Sequence, residues 1–125
     1  MPTLQEMLSS ADDEVPKITA EDAHELISGR DALLVDVRDA PELTAQGKLR
    51  GAVNVSRGML EFRADPGASS HNPEFRKERA VILYCASGGR SALAGKSLKD
   101  MGYAEVYNLG GFKDAAGAGF PTEPA

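Results

Sequence analysis

Apolar positions along the chain follow two rhythms: a recurrence every third or fourth residue, and short unbroken runs. Leu4, Met7, Leu8 and Ala11 keep the first rhythm and predict a helix from Leu4 to Val15 lying on the domain surface, stopped by Pro16. Lys17-Ile18 then enters as a short edge strand, and Thr19 with Asp22 three residues on marks the start of a second helix. Ala23, Leu26 and Ile27 face the core from that helix, and Gly29 ends it. Leu33 to Val37 reads as a buried strand, Ala40 to Gln46 as a short helix ended by Gly47, and Ala52 to Val55, after Gly51, as a third strand. The unbroken run Val81 to Tyr84 predicts a strand buried on both faces. In the helix beyond it Ala94, Leu98 and Met101 mark the buried face and Gly102 closes it. Gly95 lies in that helix interior, where glycine costs about 1 kcal/mol against alanine, which points to close packing. Glu105 to Leu109 is the last strand, Gly110-Gly111 a small-residue turn placed beside the loop that follows Cys85, and Phe112 to Ala118 a final short helix.

Strands alternating with helices predict an α/β fold: three layers, α/β/α, around a mostly parallel central sheet of about five strands. Residues 16–125 form this domain, and residues 1–15 supply a helix packed on it. One stretch breaks the alternation. Ser56 to Pro73 is mostly polar, with a helical turn over Gly58 to Phe62 in which Met59 and Phe62 pack inward. Long loops in compact domains are commonly functional, so this one is expected to wall one side of a ligand pocket.

A chain of 125 residues suits one domain with a single sizeable core. Its 42% hydrophobic and 26% charged residues place it with globular rather than disordered proteins. Fourteen basic against nineteen acidic side chains give a net charge of −5, which disfavours nucleic acid as a partner. No apolar run approaches a membrane span, and Met1 to Leu8 lacks the basic-then-apolar pattern of a signal peptide. A single cysteine excludes an internal disulfide and a resolving cysteine in the same chain, and fits a reducing, cytoplasmic setting. His24 and His71 read as a surface histidine and a solvent-facing turn histidine. The sequence carries no metal-ligand cluster, P-loop, dinucleotide fingerprint or internal repeat.

The chemistry gathers at Cys85. It falls at the carboxyl end of a buried strand, where open α/β sheets bind their ligands. Ala86-Ser87-Gly88-Gly89, then Arg90 and Ser91, lead from it into a helix. A lone cysteine at a strand end otherwise reads as a small buried hydrophobe. Packing alone needs no glycine-rich loop, whereas such a loop can turn several N–H groups toward one point and cradle an anion. A free thiol with pKa about 8.5 is a few per cent thiolate at neutral pH, and helix N-termini and cations lower that value to roughly 3.5–7.5. Cys85 is therefore the candidate nucleophile, with Arg90 either contacting an anionic substrate or bracing the loop through its carbonyls. Asp36 and Arg38, at the end of an apolar strand, read as an internal ion pair.

Cys85-Ala86-Ser87-Gly88-Gly89-Arg90-Ser91 resembles the active-site loop of the rhodanese (sulfurtransferase) family: a cysteine, four residues and an arginine before a helix. The resemblance runs roughly from Ile18 to the C-terminus and includes Leu33 to Asp39, Gly51 to Val55, Gly110-Gly111-Phe112 and Gly119-Phe120-Pro121. It implies a rhodanese-like fold and a thiosulfate sulfurtransferase type of activity. The cysteine takes a sulfane sulfur from thiosulfate or a persulfide donor, holds it as a persulfide, and yields it to cyanide or a thiol. Carried onto this chain, Cys85 is the nucleophile and Ala86, Ser87, Gly88, Gly89 and Arg90 form the loop that binds the anionic donor. Asp36, Arg38 and Ser91 support the site, and Glu42 is structural. The chain departs from the family's usual Gly-His-Ile with Gly47-Lys48-Leu49, and has Ala115-Ala116 near the place of a common tryptophan.

The expected partners are a small anionic sulfur donor and a thiol or cyanide acceptor, with a protein sulfur acceptor also open. Neither nucleic acid nor membrane is expected, no cofactor or metal is needed beyond the covalent persulfide on Cys85, and the chain is expected to be a monomer. Two rival readings remain. A persulfide carrier or binding module would share Cys85 and differ only in its partners. A cysteine phosphatase or arsenate reductase uses a cysteine, five residues and an arginine; the four residues here make a smaller cradle, suited to one sulfur rather than a tetrahedral oxyanion.

Overall fold

Alternation of side chains across buried strands decides this fold. The computed structural model describes residues 2–125. Strands β1 (Leu33–Asp36) and β4 (Val81–Cys85) are buried at every position. Val35, Val81, Leu83 and Cys85 point into one core with Leu60, Ala94, Leu98 and Tyr103. Leu34, Ile82 and Tyr84 point into the opposite core with Ala23, Leu49, Phe112 and Phe120. A strand covered on both faces has no polar side, which is why these runs read as continuous apolar stretches.

Four parallel strands form the sheet in the order β3 (Val53–Asn54), β1, β4, β5 (Val106–Gly111). The fifth strand expected at Lys17-Ile18 reduces to a single parallel bridge from Lys17 to Asn108, because Pro16 lacks the N–H to extend the ladder. The chain runs outward from β1 to β3 and then crosses back to β4, so the strand order reverses between β1 and β4. Ligands in open α/β sheets sit outside the carboxyl ends at such a switch point. Cys85 ends one of these strands and Asp36 the other.

Helix α1 (Leu4–Glu14) begins in a capping box between Thr3 and Glu6 and lies against α5 (Gly89–Asp100). The fit at that contact is tight: a Cβ on Gly95 would stand 2.8 Å from a methyl of Val15. Helix α2 (Ala20–Arg30) has a second capping box, Thr19 with Asp22. It runs past Gly29, the expected end, and stops at Asp31, which takes the left-handed conformation at φ 54. Asp tolerates that conformation better than most residues, so it serves the terminating role usually given to glycine. Helix α3 (Ala40–Gln46) ends at Gly47 as expected. Two short strands not anticipated, β2 (Lys48–Leu49) and β6 (Thr122–Glu123), pair antiparallel as a separate ribbon.

The long loop corrects two expectations. Helix α4 (Leu60–Ala64) buries Leu60 and Ala64, four residues apart on one face, and leaves Met59 and Phe62 exposed rather than packed inward. The segment leans on α5 instead of walling a pocket at the cysteine: Arg57 donates to Ser97 Oγ at 3.0 Å, and Tyr103 donates to the Ala64 carbonyl at 2.7 Å. His71 is half-buried and bonds the Phe75 carbonyl at 3.0 Å. Helix α6 (Phe112–Gly117) follows β5. No helix among the described residues is long and apolar enough to cross a membrane.

Candidate active site

Strand β4 carries Cys85 to the sheet's carboxyl edge, and the residues after it turn sharply into α5. Gly88 makes the turn at φ +101, a conformation that side chains resist. Its amide N–H is thereby directed at Cys85 Sγ, 3.0 Å away, at the mouth of α5. Ser91, fully buried in the first turn of α5, places its hydroxyl 3.5 Å from the same sulfur. Cys85 itself is buried and counts among the members of the apolar core. Burial is the largest single influence and pushes the thiol up. The Ser91 hydroxyl and the amides of Ser91, Gly88 and Ser87 pull the other way, and their combined effect leaves its pKa lowered. Among the described residues no hydrogen bond runs to the sulfur from the amides of Ala86, Gly89 or Arg90.

The last strand supports this loop closely. A bulge in β5 after Asn108 brings Gly110 and Gly111 opposite Tyr84 and Cys85, so the strand continues where a turn was expected. A Cβ on Gly111 would meet the Ala86 carbonyl oxygen at 2.6 Å, and one on Gly88 would meet Gly110 Cα at 3.3 Å. The two segments therefore touch backbone to backbone, as placed from the sequence.

Asn108 is the residue that sequence reasoning missed. It is 3% exposed, and its side chain makes three hydrogen bonds that fix the loop. Nδ2 donates to the Gly88 carbonyl at 3.1 Å, and Oδ1 accepts from Gly110 N at 2.9 Å and from Ser91 Oγ at 2.8 Å. The signal was available: a polar residue within the apolar run Val106 to Leu109 must be satisfied when buried. Ser91 has one hydroxyl proton, and both Asn108 Oδ1 and Cys85 Sγ lie within its reach.

Among the described residues Arg90 bonds a carboxylate rather than the carbonyls of the loop. Nη1 and Nη2 donate to the two carboxylate oxygens of Glu42, each at 2.8 Å, in a bidentate pair that spans the site. Glu42 also accepts from the Asp39 amide at 2.8 Å, capping α3. The bond from Arg90 brings the Glu42 carboxyl down to about 2, burial opposing and the Asp39 amide assisting. Hydrogen bonding to Glu42 likewise raises the Arg90 guanidinium.

Asp36 and Arg38 are an ion pair with both side chains fully buried. Arg38 Nη2 lies 2.8 Å from Asp36 Oδ2 and also donates to the Gly47 carbonyl at 2.8 Å, while its guanidinium sits 4.4 Å from the centre of the Phe112 ring. Burial works against the charge of Arg38, and the bonds to Asp36 restore it. These contacts knit β1 to α3, a supporting role in keeping with the internal pair read from the sequence. Beside the cysteine loop lies a cavity of about 440 Å³, lined by Leu8, Asp12, Lys17, Ser87 and Asp114 among others, with no residue of 56–73 in its wall. Among the described residues no three histidine, cysteine or acidic side chains cluster as a metal site.

A parallel sheet whose central strand ends in a cysteine, with a tight loop opening directly into a helix, is the architecture of a rhodanese-like domain. The model of the rhodanese-like domain matches residues 19–118, and the chain belongs to that family. It is 37% identical over 89 residues to the uncharacterized protein YqhL of Bacillus subtilis, covering 70% of this chain and 64% of that one. A sulfurtransferase of Allochromatium vinosum is 36% identical over 86 residues, 69% of this chain and 72% of its own length. A tRNA uridine(34) hydroxylase of Bartonella bacilliformis is 30% identical over 95 residues, 75% of this chain but 30% of that protein. Among solved structures, a Rhodopseudomonas palustris protein of unknown function, described as a possible tyrosine phosphatase, superposes with a TM-score of 0.89 at 36% identity over 98% of this chain and 96% of that one.

Proposed function

We propose that this chain is a sulfurtransferase moving a sulfane sulfur from thiosulfate or a persulfide to a thiophilic acceptor through a persulfide on Cys85. The observation that carries the reading is the Gly88 N–H pointed at Cys85 Sγ from 3.0 Å, a donor that stabilises the thiolate and not the thiol. The Cys85 thiolate attacks the donor's outer sulfur. A new S–S bond forms, and the bond from that sulfur to the rest of the donor breaks, its electron pair leaving on sulfite or a thiolate. An acceptor then attacks the outer sulfur of the persulfide and returns Cys85 to the thiolate. No general base is required if the thiolate is already formed, and two half-reactions on one enzyme predict ping-pong kinetics. The sulfurtransferase of Allochromatium vinosum supports this reading among the relatives.

Thiocyanate formation from sulfur donor and cyanide tests it. Wild type turns over with parallel double-reciprocal lines, and Cys85→Ser loses turnover; equal activity in Cys85→Ser defeats the reading. The likeness to a possible tyrosine phosphatase favours a second reading, phosphate ester hydrolysis by the same cysteine. The loop weighs against it, since four residues between Cys85 and Arg90 close a smaller ring, and Arg90 is engaged by Glu42. Hydrolysis of p-nitrophenyl phosphate without sulfur transfer would select it.

A further inference from the structure

We propose that the preferred donor is a small persulfide, R–S–SH, carrying at most one negative charge on its sulfurs, rather than the thiosulfate dianion. The proposal rests on the sulfurtransferase reading above and narrows its substrate. Arg90 is the sole cationic side chain of the segment from Cys85 to Ser91. A planar guanidinium recognises an oxyanion best by two parallel N–H bonds, and Arg90 gives that arrangement to Glu42, 2.8 Å on each arm. Glu42 is itself held by the Asp39 amide in the capping box of α3, so the pair is anchored at both ends.

The remaining charges do not make up the deficit. Lys17, in the cavity beside the loop, lies 3.7 Å from Asp12, and Asp114 lines the same wall. With Asp39 and Glu42 counted, two cations face four carboxylates around the loop, in a chain of net charge −5. The Gly88 amide and the Ser91 hydroxyl already serve the Cys85 sulfur. Among the described residues lining the loop and its cavity both cations, Arg90 and Lys17, are paired with carboxylates. An approaching dianion therefore meets the thiolate without a cation of its own there, whereas a protonated persulfide meets no such repulsion. The half-reaction balances without any further reagent. Cys85–S⁻ and R–S–SH give Cys85–S–SH and R–S⁻, one S–S bond forming as another breaks.

The test reads persulfide formation on Cys85 by time-resolved intact mass spectrometry, with thiosulfate and with cysteine persulfide as the two donors. Wild type is expected to load from cysteine persulfide at least about tenfold faster than from thiosulfate, the worth of one missing charge-assisted contact. In Glu42→Gln the amide oxygen can still accept from Asp39, and the same oxygen faces Arg90 Nη1. The pair loses its negative charge and its second arm, and Nη2 of Arg90 is released. The variant's thiosulfate rate should rise about tenfold, and its cysteine persulfide rate should stay within about threefold of wild type. An independent check uses wild type alone. Raising ionic strength from about 0.01 to 0.15 M shortens the screening length from about 30 to 8 Å and should speed thiosulfate loading more than persulfide loading. Thiosulfate loading as fast as persulfide loading, an unchanged donor ratio in a folded Glu42→Gln, or a thiosulfate rate that falls with salt overturns the proposal. Failure of both donors to load Cys85 overturns the sulfurtransferase reading itself, and this proposal with it.

Discussion

Replacing Ser91 by alanine isolates one of the interactions that set the state of Cys85. The Ser91 hydroxyl is buried, 3.5 Å from Cys85 Sγ and 2.8 Å from Asn108 Oδ1. Its removal leaves the rest of the loop in place, because Asn108 still holds the Gly88 carbonyl and the Gly110 amide. A hydrogen bond to a charged group contributes about 1.5–3 kcal/mol, and a 3.5 Å contact whose single proton is shared with Asn108 Oδ1 argues for the lower end. At 1.36 kcal/mol per unit, that loss raises the thiol's midpoint by about one pH unit. Below both midpoints the thiolate fraction falls about tenfold. The more basic thiolate is also a better nucleophile, by about threefold at a Brønsted coefficient near 0.45, so the net rate falls only about threefold. Alkylation by iodoacetamide across pH measures all three quantities. The expected result for Ser91→Ala is a midpoint about one unit higher, a plateau about threefold faster, and an acid-side rate about threefold slower than wild type. A midpoint that stays put or moves down, in a protein with unchanged circular dichroism, refutes a thiolate held by this hydroxyl.

Gly111→Ala drives a methyl group to 2.6 Å from the Ala86 carbonyl, a backbone atom that cannot swing away. It should destabilise the fold by about 1–3 kcal/mol and slow persulfide formation, and a denaturant melt paired with a loading assay checks both. Glu42 has a carboxyl lowered from 4.5 to about 2 in the folded chain, so its contribution to stability is present above about pH 4.5 and is lost as pH falls toward 2. The stability advantage of wild type over Glu42→Gln should therefore shrink through that window. It should also be small, because the pair is a third exposed, and a gap that stays constant from pH 5 to 2 would assign the effect elsewhere.

The pieces legible in the sequence are those whose signal is local. Val81 to Tyr84 announced a doubly buried strand, Thr19 and Asp22 a helix start, and a glycine inside a helix at Gly95 a close contact, though not its partner Val15. What escaped depends on partners distant along the chain. Arg90 and Glu42 are separated by 48 residues, so the sequence offered the cation but not its commitment to a carboxylate. The ribbon of β2 and β6 is two residues wide on each side and includes Lys48 and Glu123, too short and too polar for a period to show. Hydrophobicity alone points Met59 and Phe62 inward, whereas the buried helical face belongs to Leu60 and Ala64. Asn108 sits in a strand whose apolar neighbours carry the pattern, while its three side-chain hydrogen bonds go to Gly88, Ser91 and Gly110, and two of these partners lie 17 or more residues away.

The most direct measurement is the intact mass of the protein after incubation with cysteine persulfide and removal of excess donor. Wild type should gain the mass of one sulfur atom, Cys85→Ser should gain none, and cyanide or a thiol should return wild type to its original mass. No gain in wild type, or the same gain in Cys85→Ser, contradicts a sulfur carried on Cys85.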